Sequence, residues 1–301
     1  MTHYLVKKID ELPDDQKQEV LKEVLDRATS APETKIDKYI VSSMIDYIEL
    51  AKERLEHFGK MQGISSGYSS LDDLTKGFVA GELTVVAGKT SYGKTTLAMN
   101  IANKIALKDN RVLFVTLEMT KVELTSRYMY INGGSDTDDF LKVAANTLFQ
   151  ENNELSWRDI DGLIAKAKKE LEVNLVVIDH LHYFSRELEN VGEDLGRITK
   201  ELKKNAIEHE IPIILISHVR KTLPNQPANI DDLRGSSYIA QDADIVLMVG
   251  RNPDNKNEMS VRIEKNRNRG IATTDTVLDF DKTKISERGN DKVDINKIFK
   301  D

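Results

Sequence analysis

The sequence predicts an α/β fold with a mainly parallel central sheet. Three observations carry that expectation. From Gly81 onward, short apolar runs alternate with segments of helical periodicity, the pattern of strand–helix–strand units. Two of the runs, Leu175-Val176-Val177-Ile178 and Ile213-Ile214-Leu215-Ile216, are apolar at every position, as strands buried on both faces are. The run Leu83-Thr84-Val85-Val86-Ala87 leads into Gly88-Lys89-Thr90-Ser91-Tyr92-Gly93-Lys94-Thr95 and then into a helical stretch from Thr96 to Leu107. Strand, glycine-bearing loop and helix in that order form a cradle for a polyphosphate.

Taken in order, residues 1–35 read as a short helical N-terminal segment. Pro13, Asp14 and Asp15 suit a first helical turn. Val20, Leu21, Val24 and Leu25 then recur at helical spacing, and Ser30-Ala31-Pro32 ends the pattern. Residues 36–62 read as a long helix, from about Ile36 to Phe58, followed by a linker. Ile36, Tyr39, Ile40, Met44, Tyr47, Ile48, Ala51, Leu55 and Phe58 make one apolar stripe along it. The pattern leaves two uses open: packing on its own domain, or docking on a neighbouring subunit.

Residues 63–285 carry the α/β pattern. Tyr68 to Gly77 reads as a short helix with a glycine cap. Strands are expected at 83–88, 111–117, 174–179, 211–217, 244–250, 259–264 and 276–280, and helices near 94–107, 120–131, 157–170 and 193–209. The segment 132–156 is polar and carries no assignment. The segment 219–238, rich in Pro, Asn, Gly and Ser, reads as a long functional loop. The last twenty residues, including the tail at 286–301, alternate in charge and are expected to be loose.

Composition bounds the chemistry. No cysteine occurs in the 301 residues, which excludes disulfides, thiolate metal sites and cysteine nucleophiles. No run approaches the roughly 18 apolar residues of a membrane span, and no signal pattern opens the chain. The expectation is a cytoplasmic protein without a membrane partner. A formal charge of −7 argues against a protein coated in positive charge. It leaves room for a local basic lining that binds nucleic acid.

The candidate site residues follow from the loop outward. Gly88, Thr90, Ser91, Gly93, Lys94, Thr95 and Thr96 would contact a nucleotide. Successive N–H groups and the helix N-terminus offer partial positive charge, and the glycines allow close approach. Lys94 would supply charge to the outer phosphates, and the Thr95 hydroxyl is a hard oxygen ligand for Mg²⁺. Asp179 ends a buried strand, where ligands bind open α/β sheets, and would support the metal. Glu118 ends another apolar run and could polarise an attacking water, or pair with a neighbouring cation. Ser217 and His218 follow a third strand at the same level; the pair could sense the outer phosphate by hydrogen bonding, or could simply be a polar strand end. A metal role for His180, His182 or His218 is not expected, since the spacing around them shows no second ligand. Arg262-Ile263-Glu264-Lys265-Asn266-Arg267-Asn268-Arg269-Gly270 is strongly basic. It could be a solvated hairpin tip, or could aim Arg267 and Lys265 at a neighbour's nucleotide as an arginine finger. Arg234-Gly235-Ser236-Ser237 offers one charge and small residues to a nucleic-acid phosphate, a weak signal alone.

Together these motifs resemble the ATPase domain of the DnaB-type replicative DNA helicases, which has a RecA-like fold. The matching stretches are SGYSSLDDLTKGFVAGELTVVAGKTSYGKTTLAMNIA, LFVTLEMT, LVVIDHLHYF, IILISHVRK, DLRGSSYIAQDADIVLMVGR and EKNRNRG, in the family's order over roughly residues 63–280. The resemblance implies a hexameric ring that binds ATP and Mg²⁺ between subunits and translocates on single-stranded DNA. It gives Lys94 and Thr95 to phosphate and metal, Glu118 to water activation and Asp179 to metal support. Arg267, with Lys265, would reach across from the next subunit. Arg234, Gly235 and Ser237 would hold the strand in the channel. It also implies that the stripe at 36–58 is the family's linker helix, packed on an adjacent subunit.

The chain departs from the family's pattern in places. His218 stands where the family usually has glutamine, and Gly235 where it has an acidic residue. The hairpin after Lys265 looks longer, so Arg269 competes with Arg267 as the finger. Only about thirty-five residues precede the linker helix, where the family has a helical domain that receives primase. That suggests a short version encoded by a phage or mobile element, and leaves a loader or primase as a further partner. A recombinase-like or regulatory ATPase without unwinding activity is the alternative. A vestigial site is disfavoured, because Lys94, Glu118 and Asp179 are all present.

Overall fold

The structure, a computed structural model, describes residues 35–36, 39–40, 44–49, 51–52, 61–116, 118–150, 155–184, 191–220, 228–233, 236–252, 254–267, 275–281 and 283–287. Contacts divide the chain into two units, Met1–Lys60 and Met61–Asp301.

In the first unit, β1 (Lys35–Ile36) pairs antiparallel with β2 (Tyr39–Ile40), with Ile36 opposite Tyr39. A 3-10 turn covers Met44–Tyr47, and residues 48–49 and 51–52 are helical. The helix expected from about Ile36 therefore starts later. Ile36, Tyr39 and Ile40 are β-branched or aromatic, and their intrinsic preference for extended backbone wins over the helical spacing of the stripe. Met44, Tyr47 and Ile48 are exposed. The helix expected at 12–28 lies outside the described residues.

The second unit is a nine-stranded sheet with helices on both faces. Its strands are β3 (Leu83–Gly88), β4 (Arg111–Thr116), β5 (Thr147–Phe149), β6 (Val173–Asp179), β7 (Ile213–His218), β8 (Ile245–Arg251), β9 (Glu258–Asn266), β10 (Asp275–Asp281) and β11 (Lys284–Glu287). They lie in the order β11-β10-β9-β8-β3-β7-β6-β4-β5. From β8 to β5 all pairings are parallel, and β9, β10 and β11 add an antiparallel meander on one side. The expectation of a mainly parallel sheet holds.

The helices are α1 (Ser69–Thr75), α2 (Lys94–Ala106), α3 (Lys121–Asn132), α4 (Asp138–Asn146), α5 (Ile160–Leu171), α6 (Val191–Glu208) and α7 (Ser236–Asp242). Alternation along β3 assigns the faces. Val86 joins Leu97 and Ile101 of α2, Leu124 of α3 and Val143 of α4 in one buried cluster. Val85 and Ala87 join Ile164 of α5 and Leu195, Ile198 and Leu202 of α6 in the other. A strand covered on both sides is predominantly apolar, which is why β3, β6 and β7 are legible as near-continuous runs.

Two expectations are corrected here. The unassigned segment holds α4, started by the Thr137 hydroxyl accepting from Phe140 N–H, and the short strand β5. The loose tail does not begin before residue 288, because β11 pairs with β10 from Leu278↔Glu287 to Asp281↔Lys284. Ile285 N–H donates to Asn100 Oδ1 at 3.0 Å, and the Tyr68 hydroxyl donates to the Ile285 carbonyl at 3.2 Å. Contacts so distant in sequence give no local pattern.

Candidate functional site

Parallel strands in this order place their C-terminal ends along one edge, with β3 between β7 and β8. The loop after β3 returns as helix α2 through Gly93, whose φ is 92°. An L side chain would be strained there, and a Cβ would also stand 2.6 Å from the Met259 methyl. At Gly88 a Cβ would stand 2.6 Å from the Val249 carbonyl oxygen, so only glycine lets β3 leave the sheet at this point. Gly93 gives α2 no side-chain cap, whereas Thr120 and Thr137 cap α3 and α4 with their hydroxyls. The first N–H groups of α2 are thereby left for a ligand, at the positive end of the helix dipole.

A cavity of about 230 Å³ opens over this loop. Thr90, Ser91, Gly93, Lys94, Thr95 and Thr96 line it from the loop and α2, and Glu118, Asp179 and His218 from the ends of β4, β6 and β7. The structure thus brings together nine of the residues singled out in sequence. Arg127, Arg251 and Phe280 line it as well and carried no sequence signal. They come from α3, β8 and β10, whose convergence no local spacing announces. The Arg251 guanidinium lies 3.6 Å from the Phe280 ring centre, and burial lowers its pKa. Beside it a second cavity of about 400 Å³ is lined by Ser91, Tyr92, Arg251, Asn252, Lys256, Asn257 and Phe280. Rings and a cation at its wall suit a flat, electron-rich group such as a nucleobase.

The charges in the first cavity are poised for a polyphosphate. Lys94 is 5% exposed and donates to the Lys89 carbonyl at 2.9 Å. Burial lowers its pKa to about 8, against the pull of Asp179 and Glu118. Asp179 is fully buried, and burial raises its pKa to about 6, with the Thr95 hydroxyl, Lys94 and Arg127 working against that rise. Among the described residues neither Asp179 carboxylate oxygen has a hydrogen bond of normal geometry, although the Thr95 hydroxyl is near enough to favour the ionised form. A buried carboxylate left this way beside a hydroxyl is a hard-oxygen donor set of the kind Mg²⁺ takes, so the residues fit that ion. Glu118 Oε2 lies 3.3 Å from His180 Nε2, and the His180 ring packs edge-on against His218 with centres 4.5 Å apart. His180 was not singled out for contact with Glu118, since the two are sixty-two positions apart in sequence.

Lys265 and Arg267 are not in this cavity. Lys265 Nζ donates to the Ala240 and Gln241 carbonyls at the end of α7, at 2.6 and 3.1 Å. Arg267 donates to the Gln241 carbonyl and approaches the buried Asp244 carboxylate at 3.4 Å. Register fixes the distance scale. Gly88 is paired with Val249, whereas Asn266 is paired with Ile245 at the other end of β8. Four residues of strand separate the two levels, about 13 Å. Lys265 and Arg267 are therefore held at the opposite end of β8 from the phosphate loop. Arg234, Gly235 and Arg269 lie outside the described residues, and of Ser237 only the backbone, in α7, is described. The base of the long loop is tied by an isolated bridge between Val219 and Leu233, directly after His218.

These features are those of a phosphate-binding loop on a RecA-like α/β sheet. The chain belongs to the family of the DnaB-like helicase C-terminal domain, whose family model matches residues 63–287. A probable replicative DNA helicase from Trieres chinensis is 32% identical over 262 residues, covering 75% of this chain and 57% of the relative. The replicative DNA helicase DnaB of Geobacillus stearothermophilus is 28% identical over 291 residues, covering 86% and 63%. The chain thus spans about three fifths of the length of these curated relatives. Among solved structures, one ATPase domain superposes with a TM-score of 0.72 at 23% identity, over 82% of this chain and 99% of that one. A DnaB-like replicative helicase, solved in a study of its interactions with primase, gives 0.69 at 22% identity, over 95% and 75%. The RadB recombinase shares the fold at a TM-score of 0.56.

Proposed function

We propose that this chain is the motor of an ATP-dependent replicative DNA helicase, a ring of identical subunits that hydrolyses ATP at its interfaces and moves along single-stranded DNA. One observation carries the reading. The loop residues and Glu118 stand at one end of the sheet, and Lys265 and Arg267 at the other, so one subunit holds only part of a catalytic set. In a head-to-tail ring the far end of one sheet faces the near end of the next, and each nucleotide is completed by two copies.

In that assembly Lys94 neutralises charge on the outer phosphates, and the α2 N-terminus holds them. Thr95 and Asp179 would hold Mg²⁺, which would offset charge on the phosphates. Glu118 takes a proton from the attacking water as the terminal phosphoryl group leaves ADP. Arg267 of the next copy, with Lys265, offsets charge in the transition state, worth about 10³–10⁵ in rate in comparable enzymes. The base stacks in the cavity of Tyr92, Arg251 and Phe280. His218 meets the outer phosphate, and its strand leads into the segment that carries Arg234 and Gly235 and on to Ser237 in α7. Loss of that phosphate therefore reaches the DNA-holding segment through one strand end. Phosphate contacts make the grip independent of sequence and sensitive to salt. The exposed Met44, Tyr47 and Ile48 give the first unit an apolar face to lay on a neighbour. Residues 63–285 form the ATPase domain in this reading, and its place of work is the cytoplasm.

The test is ATP hydrolysis with and without single-stranded DNA, followed by strand displacement on a forked duplex. DNA-stimulated hydrolysis with displacement is expected. Hydrolysis indifferent to DNA, with no displacement, would favour the regulatory ATPase.

A further inference from the structure

We propose that Glu118, His180 and His218 form a second cation site, selective for Zn²⁺ or a similar transition metal, whose occupation reversibly blocks turnover. The three residues come from the ends of three strands, and one ligand atom from each lies within 4.8 Å of the other two. A tetrahedral metal with bonds of about 2.0–2.1 Å sets its ligand atoms about 3.3–3.4 Å apart. The Glu118–His180 pair is already at 3.3 Å. The third ligand, from His218, lies within 4.8 Å of both, so completing the set takes a side-chain shift of at most about 1.5 Å.

The donor chemistry separates this site from the neighbouring one. Thr95 and Asp179 offer hard oxygens, the Mg²⁺ set. Two imidazoles and one carboxylate are the set of open zinc centres, and Mg²⁺ competes poorly for it. No cysteine exists elsewhere in the chain to draw zinc away. Among the described residues the other close histidine–carboxylate pair is His209 with Asp161 at 2.9 Å, which offers two ligands and not three.

The consequence for turnover rests on the proposed role of Glu118. A metal on its carboxylate removes the group that accepts the proton of the attacking water. His218 is drawn off the outer phosphate, but Lys94, Thr95 and the α2 N-terminus, which carry most of the grip, are untouched, so nucleotide stays bound while hydrolysis stops.

The experiment uses the full chain in excess Mg²⁺. Zn²⁺ affinity is read by competition with a chromophoric chelator, and coordination by the visible spectrum of bound Co²⁺. One metal per chain with a four-coordinate cobalt spectrum is expected. His180→Ala, His218→Ala and Glu118→Ala should each weaken zinc by at least about tenfold, and His209→Ala should not. Zinc should stop hydrolysis, a chelator should restore it, and a fluorescent ATP analogue should stay bound throughout. Unchanged affinity in the three variants, or loss of the site in His209→Ala, would overturn the proposal. Should a histidine variant misfold by circular dichroism, Glu118→Ala, at a half-exposed position, carries the same test. A chain that hydrolyses no ATP at all would sink the helicase reading, while the cobalt spectrum would still report on the metal site.

Discussion

Replacing Lys94 with methionine should stabilise the empty protein while abolishing its chemistry. Lys94 is 5% exposed, and burial lowers its pKa from 10.5 to about 8. At 1.36 kcal/mol per pH unit, keeping this amine charged at neutral pH costs the fold about 3 kcal/mol. Methionine fills similar volume without charge, but it gives up the hydrogen bond to the Lys89 carbonyl, worth about 1 kcal/mol. The net expectation is a gain of about 2 kcal/mol, or about 4–8 °C in Tm for a unit of this size. The sign has a pH signature. A lysine with a depressed pKa binds fewer protons folded than unfolded between pH 8 and 10.5, so wild-type stability rises across that window. Lys94→Met should lack that rise. Nucleotide should reverse the ranking, because only the lysine gains a phosphate partner. Chemical denaturation with and without an ATP analogue, at pH 7 and pH 10, reads all three effects. A variant less stable than wild type without nucleotide at pH 7 would refute the reasoning.

Four further outcomes are expected. Glu118→Gln should bind ATP normally yet hydrolyse it about 10²–10⁴ times more slowly, as single-turnover kinetics would show; a loss under fivefold would remove Glu118 from water activation. Gly88→Ala should lower Tm and nucleotide affinity together, because its Cβ would meet the Val249 carbonyl oxygen at 2.6 Å. Asp244→Ala should cost about 3–5 kcal/mol, since the carboxylate is 2% exposed and holds Lys203 at 2.6 Å and the Leu83 N–H at 2.8 Å; urea melts at neutral pH check this. Arg267→Ala should leave nucleotide affinity of the isolated chain unchanged and lower hydrolysis by about 10³ or more in the assembled form; an equal fall in both would place Arg267 in its own subunit's site.

What could be read in the sequence follows from where the information lies. Gly88, Asp179 and His218 are legible at strand ends because β3, β6 and β7 are covered on both faces and show as predominantly apolar runs. The phosphate loop was legible because its residues are consecutive. Helix α4 does carry a local signal in Thr137-Asp138-Asp139, a capping threonine before two acids, which the polar character of the segment masks. Strand β11 could not, since Asn100, Tyr68, Ser69 and Ser70 hold it from some two hundred residues away. The helix expected from Ile36 shows the opposite failure: a helical stripe was present, but its first members pair as strand. At the site, Arg127, Arg251, Phe280 and the Glu118–His180 contact were illegible for one reason. Each is a meeting of elements far apart in sequence that only the sheet order creates.

The central claim is that two copies complete each nucleotide site, and its most direct measurement is ATP turnover per chain as a function of protein concentration, with the mass of the species followed in parallel. Turnover per chain should climb steeply as assembly begins and level off when assembly is complete, and Arg267→Ala should assemble without the climb. Full turnover in a species of single-chain mass, unchanged on dilution, would contradict it.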